Sequence, residues 1–137
     1  MHKYDIRQAG HEAQADRKVL ILLHGRGGSA EDIISFAGHL DVAGFAVIAP
    51  QAANNSWYPQ SFLAPTTQNE PWLTSALQIL RDLLADLGDK GIPTENIYFA
   101  GFSQGACLTL EFVSRNAARY GGVAAFTGGL IGDNLET

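Results

Sequence analysis

The sequence predicts an α/β fold: one domain built on a mostly parallel sheet, with helices on both faces. Three observations carry this. Two short runs made wholly of apolar residues, Val19–Leu23 and Phe45–Ala49, have the length and continuity of strands buried on both faces. A third apolar run, Ile97–Ala100, stops at Gly101, and a helical pattern starts almost at once. Helical periodicity fills the intervals between these runs. Strand and helix therefore alternate, and right-handed crossovers then place helices on both sides of a parallel sheet.

Taken in order, residues 3–8 read as a short edge strand and His11 to Lys18 as a polar turn. Val19–Leu23 runs into His24-Gly25-Arg26-Gly27-Gly28. Ser29 then caps a helix, with Asp32 three residues on in a capping-box-like start, and Ile33, Phe36, Ala37 and Leu40 form its apolar stripe. Gly44 breaks that helix, and the strand at Phe45–Ala49 is closed by Pro50. Residues 51–68 make a long polar loop holding Trp57, Tyr58 and Phe62, and loops this long inside a compact domain are usually functional. Asn69 is the expected cap of the next helix, with Pro71 in its first turn. Leu73, Ala76, Leu77, Leu80, Leu83, Leu84 and Leu87 give that helix its stripe, and Gly88 is its expected C′ stop. After a turn at 89–96 come the strand ending at Gly101, a helix over 104–118 and a last strand near Gly122–Phe126. No repeat, low-complexity segment or linker interrupts the chain, so residues 1–137 read as a single domain.

The bulk numbers narrow the function. Apolar content of 46% with 17% charged residues is that of a globular chain. A net charge of −5 argues against nucleic acid or an anionic membrane as partner. No apolar stretch is long enough to span a bilayer, and the N-terminus lacks the apolar core of a signal peptide. The single cysteine, Cys107, excludes an internal disulfide and reads as core packing. A cytoplasmic protein without cofactor is the default expectation, with a homodimer left open.

Gly101-Phe-Ser-Gln-Gly105 is Gly-x-Ser-x-Gly in strand–turn–helix context, a nucleophile elbow. The turn is too tight for a Cβ on its flanks, so Gly101 and Gly105 are required sterically. It presents the Ser103 hydroxyl at the end of the strand, over free N–H groups at the start of the following helix. With 15 glycines in the chain, the tripeptide pattern alone would mean little; its setting gives it weight.

Two chemistries compete for the Gly-rich loop at 24–28. Gly25-x-Gly27-x-x-Ala30 formally matches a dinucleotide fingerprint, which needs an acid at the end of the next strand. That strand ends Ile48-Ala49-Pro50-Gln51, without one. The better reading is half of an oxyanion hole, one backbone N–H beside that of the residue after the serine. The four histidines, His2, His11, His24 and His39, make no metal-ligand spacing, so no metal site is expected. His24 ends a strand expected beside the elbow strand; it either approaches Ser103 or braces the Gly-rich loop, the second being favoured. Trp57 and Tyr58 either line an acyl or alcohol pocket or anchor their loop.

With Leu23-His-Gly-Arg-Gly-Gly28, Asn55-Ser-Trp-Tyr58 and Gly101-Phe-Ser-Gln-Gly-Ala106 together, the chain resembles the phospholipase/carboxylesterase family of α/β-hydrolases, over residues 17–132. Ala106 stands where that family often has glycine. The resemblance implies that Ser103 is the acyl-accepting nucleophile and that the N–H groups of Arg26 and Gln104 are the oxyanion donors. It also implies that Trp57 and Tyr58 are the aromatic pair near the substrate groove. The implied reaction is cofactor-free hydrolysis of small carboxylic esters, thioesters or lysophospholipids.

One departure dominates. In α/β-hydrolases the acid and the histidine follow the serine in the chain, yet no histidine follows His39. Asp133 is the first acid after the next strand and a weak candidate, because the family's acid comes one strand later. The chain therefore reads as an α/β-hydrolase-type domain incomplete at its C-terminus. It lacks the last two strands, on the order of 60 residues by typical element lengths, and neither the triad acid nor the base is found in it. A serine without an imidazole is a weak nucleophile, so this chain alone is expected to be inactive. The rival readings are a non-catalytic hydrolase-like binding module and, less favoured, a nucleotide-binding domain.

Overall fold

The computed structural model describes residues 1–39 and 42–126. Its elements are β1 (Ile6–Gly10), β2 (Val19–Leu23), α1 (Ala30–Ala37), β3 (Ala46–Pro50), α2 (Trp72–Asp89), β4 (Ile97–Phe102), α3 (Gln104–Arg115) and β5 (Gly122–Phe126). The strands form one sheet in the order β1-β3-β2-β4-β5. The pairs β2–β3, β2–β4 and β4–β5 are parallel, while β1 joins the edge antiparallel to β3, Ile6 opposite Pro50 and Gly10 opposite Ala46. The predicted class, a mostly parallel sheet with helices, is the one observed.

The all-apolar strands are buried on both faces because both faces are covered. Val19, Ile21 and Leu23 point into the larger core, with the leucines of α2 and with Leu108 and Phe112 of α3. Leu20 and Leu22 point the other way, onto Ala30, Ile33 and Ala37 of α1 and Val47 of β3. Each large aliphatic side chain buried this way contributes roughly 1.5–3 kcal/mol. The stripe of α2 is therefore its main tie to the sheet.

Several boundaries differ from expectation. The edge strand lies at 6–10 rather than 3–8, and α1 ends at Ala37, with Phe36 exposed. The Leu40 predicted on its stripe lies outside the described residues, as does Asp133. The third strand starts and ends one residue later than predicted, and α3 ends at Arg115. Asn69 does not cap α2. It is fully buried, accepting from Gln60 N–H at 2.7 Å and donating to Ser61 O at 3.1 Å, so it closes the preceding loop. The first turn of α2 is satisfied instead by the Glu70 carboxylate, which accepts from Thr74 N–H at 2.8 Å. Gly88 lies inside the helix. The stop falls at Gly91, φ 80°, where the N–H groups of Ile92 and Gly91 return to Leu87 O and Gly88 O in a Schellman closure.

Strand order reverses beside β2, since the chain leaves it toward β3 on one side and later adds β4 and β5 on the other. In open α/β sheets, the crevice outside the strand ends at such a switch point is where ligands bind. The register pairs Leu23 with Gly101, so His24-Gly25 and Phe102-Ser103 leave the sheet side by side. The approach is close. A Cβ on Gly105 would stand 2.5 Å from His24 O and 2.6 Å from Leu23 C, and one on Gly101 would stand 2.6 Å from Gly105 C.

Because those obstacles are backbone atoms, Gly105→Ala is expected to cost about 3 kcal/mol or more, the upper end of overpacking penalties. A urea titration reads this directly. An unchanged midpoint would show that α3 does not sit this close to β2.

Candidate active site

Ser103 stands between β4 and α3 at φ 55° and ψ −117°, a region that costs a non-glycine residue about 1–3 kcal/mol. Its backbone is held from both sides: Ser103 N–H donates to Phe126 O of β5 at 2.9 Å, and Ser103 O accepts from Cys107 N–H at 3.1 Å. The side chain is exposed at the end of the strand. The loop after β2 presses against it, with the Cβ direction of Gly25 pointing 3.4 Å from Ser103 Cβ and 4.0 Å from Oγ. Among the described residues, neither Arg26 N–H nor Gln104 N–H donates a hydrogen bond. Gln104 opens α3, whose dipole places partial positive charge at this end.

A cleft of about 200 Å³ opens here, lined by Arg26, Tyr58, Ser61, Phe62, Ser103, Gln104 and Cys107. The structure thus brings Ser103, Arg26, Gln104 and Tyr58 to one place. Burial, with the Cys107 thiol hydrogen-bonded beside it, pushes the Tyr58 phenol above its ordinary range. It stays a neutral hydroxyl across the physiological range. Trp57 does not line this cleft. It is fully buried, its indole N–H donating to His24 O at 2.9 Å and its ring stacked on His24 at 5.0 Å. Of the predicted aromatic pair, Trp57 anchors the loop and Tyr58 walls the cleft. Cys107, expected in the core, is buried yet also forms part of the cleft wall.

Side chains on three sides fix the aromatic loop. Gln104 Oε1 accepts from Trp57 N–H at 2.7 Å, and its Nε2 donates to Tyr58 O at 2.8 Å. The Arg26 guanidinium donates to Pro59 O and Gln60 O, each at 2.9 Å. Gln51 Nε2 donates to Asn55 Oδ1 at 2.9 Å. The sequence assigned roles only to the backbone of Arg26 and Gln104. Their side-chain contacts span 30 or more positions in the chain, and no local pattern encodes them.

His24 braces the Gly-rich loop rather than reaching Ser103. Its Nε2 accepts from Ala52 N–H at 3.1 Å, so the proton sits on Nδ1, which donates to Gly25 O at 2.8 Å. Burial lowers its pKa, against the pull of the Gly25 carbonyl and Asp32. The dinucleotide reading fails on the same loop. Gly27 N–H is spent on Asn55 O at 2.7 Å, Gly28 N–H on Gly25 O at 3.0 Å, and Ala30 N–H, at the start of α1, on Gln51 Oε1 at 2.8 Å. The amides of both fingerprint positions after Gly25, Gly27 and Ala30, are thus turned away from a pyrophosphate. Among the described residues, no three His, Cys, Asp or Glu side chains could share a metal ion.

The family model for phospholipase/carboxylesterase proteins matches residues 6–134. The chain belongs to the phospholipase/carboxylesterase family. It is similar to acyl-protein thioesterase 1 of Eremothecium gossypii, 28% identical over 132 residues, covering 85% of this chain and 56% of that one. It is also similar to the crystal structure of a phospholipase/carboxylesterase from Dyadobacter fermentans, at 55% identity and a TM-score of 0.95. That match covers 98% of this chain and 65% of the other, so the chain spans a little over half to two thirds of the length of these family members. Arabidopsis thaliana SOBER1 shares the fold, at 21% identity and a TM-score of 0.68 over 82% of this chain and 61% of that one. The family is one of esterase- and thioesterase-type α/β-hydrolases, and no helix among the described residues is long and apolar enough to cross a membrane.

Gln104→Ala removes the bonds to Trp57 and Tyr58 and leaves Trp57 N–H unpaired, while Tyr58 O keeps the Ser56 hydroxyl at 2.9 Å; it is expected to cost about 1–2 kcal/mol in urea unfolding. A loss below about 0.5 kcal/mol would mean the loop is held without Gln104. His2, like His24, is buried and has a lowered pKa. The folded state therefore holds both neutral, and their contribution is complete above about pH 6.5, the unfolded value. It is lost as pH falls from there through the lowered folded values, because the unfolded chain takes up protons first. Unfolding midpoints measured across that range should drop toward acid, and a flat profile would contradict both assignments.

Proposed function

We propose that the intact protein hydrolyses carboxylic esters or thioesters, lysophospholipid-type esters included, through an acyl-serine intermediate on Ser103. Ser103 Oγ attacks the carbonyl carbon and gives up its proton to a base. The carbonyl oxygen, now negative, is received by Arg26 N–H and Gln104 N–H at the positive end of α3. Collapse of the tetrahedral intermediate breaks the bond to the alcohol or thiol, which leaves with the proton. Water, deprotonated by the same base, then frees the acid and restores the serine. Tyr58 and Phe62 provide the apolar wall for the substrate, and no cofactor takes part. His24 is not that base, since both its ring nitrogens are engaged, and the base and its supporting acid lie outside the described residues. The observation that carries this reading is the exposed Ser103, held at positive φ beside two unspent amides in one cleft.

A fluorophosphonate probe and a p-nitrophenyl ester test it on the full-length protein. Labelling of Ser103 is expected, with turnover falling by about 10⁴-fold or more in Ser103→Ala. Full-length protein that neither labels nor turns over would favour the non-catalytic binding module. The 137-residue chain alone is expected to show only the residual rate of an oxyanion site without a base, ~10³–10⁴ over water in serine proteases.

A further inference from the structure

The aromatic loop is held by one more side chain, which the reaction above does not use. His2 is buried between α2 and this loop. Its backbone N–H donates to Ser75 Oγ at 3.0 Å, and its Nδ1 accepts from Ala53 N–H at 3.0 Å. Nε2 therefore carries the proton and donates to Trp57 O at 2.7 Å. The ring lies 5.3 Å from that of Trp57 and edge-on to Trp72 at 5.4 Å. His24 also packs on the indole of Trp57, and it caps the preceding amide, Ala52. Two consecutive amides thus end on two imidazoles, each ring in contact with the same tryptophan.

We propose that His2 is a positioning residue for substrate binding, clamping the 52–58 segment onto α2 so that Tyr58 stands at the wall of the Ser103 cleft. The inference rests on the esterase reading of Ser103. Trp57 is fixed at its N–H by Gln104 and at its carbonyl by His2, and Tyr58 follows it directly. Without the imidazole, Ala53 N–H and Trp57 O lose their partner, and the segment must move to regain one. Tyr58 also walls a second pocket of about 220 Å³ over Trp72, so its shift changes the shape offered to substrate on both sides. Ser103 is held separately, by β4, α3 and Phe126. The clamp therefore acts on binding rather than on the bond-making step.

The clamp works only with a neutral ring, because protonation would turn Nδ1 from acceptor to donor against Ala53 N–H. The charged and titratable groups bearing on His2 are the Met1 amino group and His24, and both oppose a further positive charge. The elements packed against it present Ser75 and Trp72 from α2, and Trp57 and Ala53 from the loop. Asp32 of α1 bears on His24 instead.

The full-length protein with a p-nitrophenyl ester provides the test. His2→Ala should raise KM by about fivefold to tenfold with kcat within about twofold, the signature of lost ground-state binding. His2→Gln supplies a donor and an acceptor that do not titrate. It should bring KM back to within about twofold of wild type and remove most of the KM rise expected of wild type below about pH 6.5. If His2→Ala does not fold, His2→Gln decides alone. An unchanged KM in His2→Ala, or an acid-side KM rise as steep in His2→Gln as in wild type, would overturn the proposal. Tryptophan emission followed against pH gives a readout free of catalysis, and should shift in wild type and much less in His2→Gln. Equal shifts overturn the clamp, whereas a wild type that resists fluorophosphonate overturns the esterase reading only.

Discussion

The cleft depends on one steric constraint, the close passage of α3 across the ends of β2 and β4. Gly105 faces the carbonyls of Leu23 and His24, and Gly101 faces Gly105. With side chains at those positions the helix would ride outward and the turn before it would open. Held down, α3 begins immediately beneath Ser103, which forces that residue to positive φ and leaves Gln104 N–H pointing out of the helix end without an intrahelical partner. The strain at Ser103, about 1–3 kcal/mol, is sustained because strand, helix and the Phe126 carbonyl all fix the same short stretch.

The aromatic loop obeys a different constraint, polar satisfaction. It crosses the strand ends without a strand or long helix of its own, so its buried peptide groups need side-chain partners. Gln104, Arg26, Gln51, Asn69, His24 and His2 supply them, from four separate regions of the chain. Two of these residues, Arg26 and Gln104, also line the Ser103 cleft. The hydrogen bonds that shape the wall are thus tied to the elements that present the serine, and wall and serine keep a fixed relation.

This division explains what could be read from the sequence. The buried strands announce themselves because continuous apolar runs have few other uses, and the elbow because its glycines are local steric requirements. β5 was placed at its observed bounds, Gly122–Phe126. Asn69 and Gly88 misled because local signals name a residue able to cap or stop a helix, without showing where the helix begins or ends. Asn69 found longer-range partners, and the Schellman closure at Gly91 allowed α2 to run past Gly88. His2 carried no signal at all, since its partners are Ser75, Ala53 and Trp57, 51 to 73 positions away.

On the proposed reading, the site also separates two ingredients of acyl transfer. On that reading, the described residues hold the parts that would meet charge on a carbonyl oxygen: the strained serine, the amides of Arg26 and Gln104 and the end of the α3 dipole. Among the described residues, His24 at the crevice offers Ser103 no base, because both its ring nitrogens are spent holding the loop. General base catalysis is typically worth about 10²–10⁴-fold, and an oxyanion site must stay rigid whether or not a base is present. Ser103 N–H is bonded to Phe126 O, at the end of β5. The serine is therefore tied to β5 as well as to β4 and α3, and on the proposed reading a base reaching it would meet a hydroxyl whose backbone is already fixed.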